Sequence, residues 1–224
     1  MTARTIGVRY GESTRSFIQL ARTLDDADWS VHVPCTPLWT VRDVLSHVAG
    51  IPDDGIAGRT DGAATEPWTA AQVERNAAFT VDELLDRWEQ QYELFGAAIE
   101  AIGEERPPFD CHSHEHDVRH ALGRPGNRDS AVIDDAVPRL LASLADVPVA
   151  LTVHLDDGGS MIETGGGGPQ VELSTSRFEV FRSMLGRRSR EQVRSLAWAG
   201  DPATVDLAVD GWFTFGPADG PIEE

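Results

Sequence analysis

From Leu84 to Ile102, the apolar residues Leu84, Leu85, Trp88, Tyr92, Phe95, Ile99 and Ile102 recur at steps of almost always three or four. That spacing lays one continuous stripe along an α-helix and matches no face of a strand. Thr80 with Glu83 forms a capping box in front of it, and Gly103 with Pro107-Pro108 ends it. The stripe reads as core. Other helical segments accompany it in the N-terminal two-thirds. Ser13 to Leu24 carries Phe17, Leu20, Ala21 and Leu24 at helical spacing. A loop with Trp29, Pro34 and Pro37 follows. Thr40 then caps a helix through Asp43, with a stripe of Val41, Val44, Leu45 and Val48. Residues 51–66 are rich in Gly, Asp, Pro and Thr and contain a loop, and Thr69 with Gln72 opens another helix. A further helix runs from about Asp129 to Ala145, kinked or broken at Pro138.

The composition then shifts. Val149 to Leu155 is β-branched and reads as a strand, Gly158-Gly159 as a turn, and Ser160–Thr164 and Val171–Ser174 as further strands. The run Gly165–Gly168 reads as a hairpin or loop, because no G-x-G-x-x-G spacing makes it a nucleotide cradle. Ser176 with Glu179 and Ser189 with Gln192 cap two more helices, and the tail carries Trp212-Phe-Thr-Phe-Gly. These readings place a domain boundary near residue 147, giving 1–147 and 148–224.

Between the double proline and Gly123 lies Asp110-Cys-His-Ser-His114-Glu-His116-Asp117-Val-Arg-His120, four histidines and three acids in eleven residues. At about 100° per residue, Asp110, His114 and Asp117 fall within roughly 60° of one another on a helix. A carboxylate and an imidazole at i, i+4 can grip one divalent cation. A third ligand must come from elsewhere, and His47, at the edge of the stripe after Thr40, is the candidate. Two histidines and one carboxylate would leave positions open for a substrate. His112, His116 and His120 read as solvated polar surface. A harmless half-buried histidine also suits position 47.

Composition narrows the chemistry. The 224 residues carry a formal charge of −18, a field that repels nucleic acid phosphate and anionic membrane. No apolar run approaches the ~20 residues of a membrane span, and the first residues lack the apolar core of a secretory signal, so the expected location is the cytoplasm. All 19 basic residues are arginine. Lysine Schiff bases, phosphate loops and the protein-kinase lysine are therefore excluded. Cys35 and Cys111 are too few and too distant to make a disulfide framework and read as plain thiols.

Three motifs carry a resemblance. The first is Trp29…Cys35-Thr-Pro-Leu-Trp39-Thr-Val-Arg-Asp-Val-Leu-Ser-His47-Val-Ala-Gly50. The second is Asp110-x3-His114-x2-Asp117-Val-Arg119-x-Ala-Leu122-Gly123-Arg-Pro125. The third is Phe178-x2-Phe181-Arg182-x3-Gly186-Arg187-Arg188-Ser189-x2-Gln192-Val193, with Trp198-x-Gly200-Asp201-Pro202 and Phe215-Gly216-Pro217. Together they resemble the mycothiol-dependent maleylpyruvate isomerase family of the wider DinB-like metalloenzyme group. The resemblance implies an α+β protein: an N-terminal DinB-like four-helix bundle and a small C-terminal α/β domain, similar to a reduced sterol-carrier fold, that helps to close the cleft. It implies one divalent metal, usually zinc, on His47, Asp110 and His114, with aspartate where the isomerase often has glutamate and hence a shorter reach. It also implies a low-molecular-weight thiol cosubstrate, mycothiol in actinobacteria, and a small electrophilic substrate that is isomerised or S-alkylated. On this reading Asp117 orients a ligand histidine or pairs with an arginine, or is a surface acid. Arg187 and Arg188 could clamp a substrate carboxylate, or are solvated arginines beside a helix cap. Trp39, Trp88, Tyr92 and the 51–66 loop are cleft-lining candidates, equally explicable as core or loop, Trp39 and Tyr92 being the ones taken to meet the cosubstrate. Cys111 or His112 could instead complete a closed structural site. The alternative function is a non-catalytic ligand- or metal-binding protein on the same scaffold, as a monomer or homodimer.

Overall fold

The structure, a computed structural model, describes residues 4–207 and 216–224. Trp212, Phe213, Thr214 and Phe215 of the C-terminal motif lie outside the described residues. The fold is α+β, and the chain divides into two compact units, Met1–Gly126 and Asn127–Glu224.

The first unit is helical. Its elements are α1 (Ile6–Ala21), β1 (His32–Val33), β2 (Thr36–Thr40), α2 (Val41–Ile56), α3 (Glu66–Asn76), α4 (Val81–Ile102) and α5 (Arg106–Ala121). Helices α1, α2, α4 and α5 pack as a four-helix bundle, and α3 lies on α2. The stripe of α4 enters the core, where Trp88 is fully buried, stacks edge-on to Phe17 at 5.6 Å and donates its indole N–H to Tyr10 Oη at 3.1 Å. Thr40 and Thr80 make complete capping boxes with Asp43 and Glu83.

Several helix boundaries differ from the sequence reading, beginning with α1, which runs Ile6–Ala21 rather than Ser13 to Leu24. Helix α2 continues through Pro52 to Ile56, so the loop is shorter than 51–66. Helix α3 begins at Glu66, which places Thr69 and Gln72 inside it rather than at its cap. Helix α5 begins at Arg106, with both prolines in its first turn, where no intrahelical N–H is lost. The segment read as a loop around Pro34 and Pro37 is an antiparallel hairpin, β1 with β2, that runs straight into α2.

The second unit holds α6 (Ala131–Ala142), β3 (Ala150–Leu155), β4 (Met161–Thr164), β5 (Gln170–Thr175), α7 (Arg177–Met184), α8 (Arg190–Arg194) and β6 (Ala197–Ala199). The sheet order is β4-β3-β5-β6, with β3 and β5 parallel and the outer pairs antiparallel. The glycine run turns the chain back beside β3: Gly166 N–H donates to Val147 O at 2.8 Å, and a Cβ on Gly165 would lie 2.1 Å from Val149 O. Close backbone approach accounts for Gly165, Gly166 and Gly168, and a positive φ of 91° for Gly167. The division at Gly126 falls ahead of residue 147 because α6 packs on α7 and β4. No helix among the described residues is long and apolar enough to cross a membrane.

Candidate metal centre

Two helices of the first unit bring the ligand candidates together. His47 sits on the second turn of α2, whose start is fixed by the Thr40–Asp43 box. Asp110 and His114 are one turn apart on α5. One ligand atom from each of the three lies within 4.8 Å of the other two. His47 Nε2 is 3.3 Å from Asp110 Oδ2, and His114 Nε2 is 3.6 Å from Asp110 Oδ1. Ligands about 2.0–2.2 Å from a tetrahedral ion stand roughly 3.3–3.6 Å apart, so both histidine–carboxylate separations match those around such an ion. The imidazole centroids are 5.1 Å apart and nearly perpendicular.

The outer ring nitrogens decide whether the inner ones can coordinate. His47 Nδ1 lies 2.6 Å from Gln72 Oε1, and Gln72 Nε2 donates to Asp54 Oδ2 at 2.9 Å. An ionised carboxylate can only accept, so the amide of Gln72 turns its oxygen to His47, an orientation that favours a proton on Nδ1. His114 Nδ1 lies 3.0 Å from Asp117 Oδ2, which favours the proton there too. Each ring thus turns Nε2 toward Asp110 and has an oxygen acceptor near Nδ1, the arrangement that second partners set up at metal-binding histidines.

The surroundings are dry and aromatic. His47 and His114 are 3% and 4% exposed, while the Asp110 side chain keeps 15%, so Asp110 marks the mouth. Trp39, at the end of β2, lies 5.2 Å from His47 and 6.1 Å from His114, centroid to centroid. Trp68 of α3 stands edge-on to His47 at 6.3 Å, anchored by its N–H to Arg59 O. Arg106, one turn ahead of Asp110, is held above its ordinary pKa by hydrogen bonds to Glu104, and the Asp110 charge adds to this.

Of the residues singled out in the sequence, His47, Asp110, His114, Asp117 and Trp39 converge here. Tyr92 does not share their contacts: its hydroxyl is 3.4 Å from the Arg15 guanidinium of α1. Arg187 and Arg188 are buried in the second unit. Arg188 is bound by Glu179 and Glu224, and Arg187 donates to Leu185 O. Two carboxylates already oppose Arg188, leaving little of its charge for a substrate anion. Trp88 is core, as described above.

His112 and His116 are not solvated surface but buried, their rings 4.9 Å apart. Glu115, fully buried, lies 3.6 Å from His112 and accepts from Arg119 at 2.8 Å, so this face of α5 compensates its own charges. His120 is half-buried. Cys111 packs into the apolar core, where burial and then the charge of Glu115 push its thiol well up. Neither Cys111 nor His112 joins the cluster. Asp54, Trp68 and Gln72 were not legible as site residues. Their only signal is spacing: Asp54 follows His47 by seven residues, on the same helical face.

Known proteins share this chain's fold. Residues 10–109 match the family model described as the mycothiol maleylpyruvate isomerase N-terminal domain. That match contains His47 and stops one residue short of Asp110. Two solved structures share the fold: the mycothiol-dependent maleylpyruvate isomerase (TM-score 0.51, 13% identity) and a histidine-to-alanine mutant of it (TM-score 0.50, 12% identity). Each alignment covers 81% of this chain and 88% of the other. No curated protein sequence matches. Within its first unit, residues 10–109 are thus similar to the mycothiol maleylpyruvate isomerase N-terminal domain.

Proposed function

We propose that this chain is a metal- and thiol-dependent enzyme. His47, Asp110 and His114 hold one divalent cation, zinc by preference, and the enzyme activates a low-molecular-weight thiol, mycothiol, for attack on a small electrophile. The observation that carries the reading is the pair of Nε2 atoms converging on one carboxylate, each ring backed at Nδ1 by an acceptor. The family match and the names of the two similar structures support the choice of thiol.

A thiol of pKa about 8.5 is mostly protonated at neutral pH, and a divalent cation supplies the charge that would deprotonate and hold it. The protein's own residues do the rest. Asp110 offsets part of the cation's charge and leaves the mouth open. Gln72 and Asp117 keep protons off the two Nε2 atoms. Trp39 and Trp68 exclude water from one side and offer flat apolar walls to the reactants. A thiol that adds across a polarised double bond leaves a single bond free to rotate. Expulsion of the thiol then gives the trans alkene, whereas a retained thioether is the transfer product.

The test is thiol consumption and product analysis with mycothiol, against a panel of cis-alkene acids and alkylating electrophiles. The expected result is metal-dependent turnover, abolished by chelation, restored by zinc and absent in His114→Ala. A protein that binds metal yet turns over no electrophile would favour a non-catalytic binding role on the same scaffold.

A further inference from the structure

Helix α3 buries an unusual set of residues: Thr69, Gln72 and Asn76, none of them apolar. They face α2, where His47, Gly50 and Asp54 share one side at spacings of three and four. Asn76 Nδ2 donates to Ser46 O at 2.7 Å, Gln72 Nε2 to Asp54 at 2.9 Å, and Arg75 to both Asp54 oxygens at 2.6 Å. Arg59 adds a fourth bond to Asp54, 2.7 Å long, so this buried carboxylate is fully engaged. Gly50 makes the approach possible: a Cβ there would stand 3.0 Å from Gln72 Cβ and 3.1 Å from Asn76 Nδ2.

Net hydrogen-bond energies are modest, whereas apolar burial is the usual reason for a helix to dock. A helix whose buried side chains are all polar, with Trp68 as its partly buried apolar contact, is therefore poorly explained by core formation alone. The chain of contacts ends on a ring nitrogen of His47, whose other nitrogen faces Asp110. We infer that α3 is a polar clamp for His47, with Gln72 a positioning residue that fixes its tautomer and orientation through Asp54, Arg59 and Arg75. The inference rests on the metal reading for its purpose, but it concerns a contact that can be tested without metal.

Two measurements on the full chain test it. In metal-free protein at neutral pH, ring ¹⁵N shifts of His47, assigned by difference from His47→Ala, should report the Nδ1–H tautomer. In Gln72→Leu this preference should be lost. In zinc competition against a chromophoric chelator, Gln72→Leu should bind about 10–100-fold more weakly. Gln72→Glu keeps the acceptor for His47 but loses the donor to Asp54, so it should retain the Nδ1–H tautomer and bind zinc more tightly than Gln72→Leu. Gly50→Ala retains every donor and acceptor but pushes Gln72 outward. It should move both readouts in the same direction, and it serves if Gln72→Leu fails to fold. An unchanged tautomer and unchanged zinc affinity in Gln72→Leu or Gly50→Ala overturn the clamp while leaving the metal reading intact. A tautomer shift without zinc uptake by any form upholds the clamp and overturns the metal reading.

Discussion

His114 is the side chain on which most depends. Its Nε2 faces Asp110 while its Nδ1 faces Asp117, a fully buried acid. Asp117→Asn keeps the shape but removes the charge that favours a proton on Nδ1. It should weaken zinc binding roughly 10–100-fold, as measured by chelator competition, while the far-ultraviolet dichroism stays that of wild type. The thiols make a second residue-scale prediction. In a Cys35→Ser background, buried Cys111 should resist an aromatic disulfide reagent in native buffer and react at once in denaturant. The convergence of the candidate trio was readable from sequence because coordination would demand particular side chains, and one helical turn sets the spacing of two of them. Gln72 was not, since a glutamine three residues after a threonine looks like a cap. His112 and His116 were misplaced because alternating polar residues look solvated unless Glu115 and Arg119 are seen to balance them inside.

At the scale of elements, the caps carry local information that the fold respects. The boxes at Thr40, Thr80 and Ser189 form as their sequences specify, and Ser176 also accepts from the backbone N–H of Glu179. Thr80→Ala should cost about 1 kcal/mol in denaturant unfolding. Hydrogen bonds from the Thr80 backbone and side chain hold the Glu83 carboxyl below the ordinary glutamate range. Its folded value being depressed, the stabilisation is present above the unfolded value of about 4.3 and is lost as pH falls through the folded one. The Thr80→Ala penalty should therefore shrink in acid. Trp88, at the centre of the α4 stripe, should cost about 3–5 kcal/mol on replacement by alanine, in agreement with its role as core. Helix starts at Glu66 and Arg106 were harder to read, because prolines that stop a helix interior are tolerated in its first turn. The β1–β2 hairpin was hidden by Pro34 and Pro37, which read as loop but sit at the turn and on a short two-stranded ribbon.

For the whole molecule, the charge of −18 on a chain without lysine means that folding gathers like charges together. Raising sodium chloride from near zero to about 0.3 M should therefore raise the midpoint of thermal unfolding, since the screening length falls below about 10 Å. The division into units follows packing rather than composition. Helix α6 has the texture of the helices before it, yet buries its apolar side against α7 and β4, contacts that no local pattern reveals. The convergence of α2 and α5 is likewise a tertiary fact: sixty-three residues separate His47 from Asp110, and the bundle brings them to 3.3 Å. Elemental analysis of freshly purified protein tests the central claim most directly. About one equivalent of divalent metal in the wild type, with almost none in His47→Ala, Asp110→Ala or His114→Ala variants that remain folded, is the result predicted. A wild type without metal, or folded variants that keep their full complement, would contradict it.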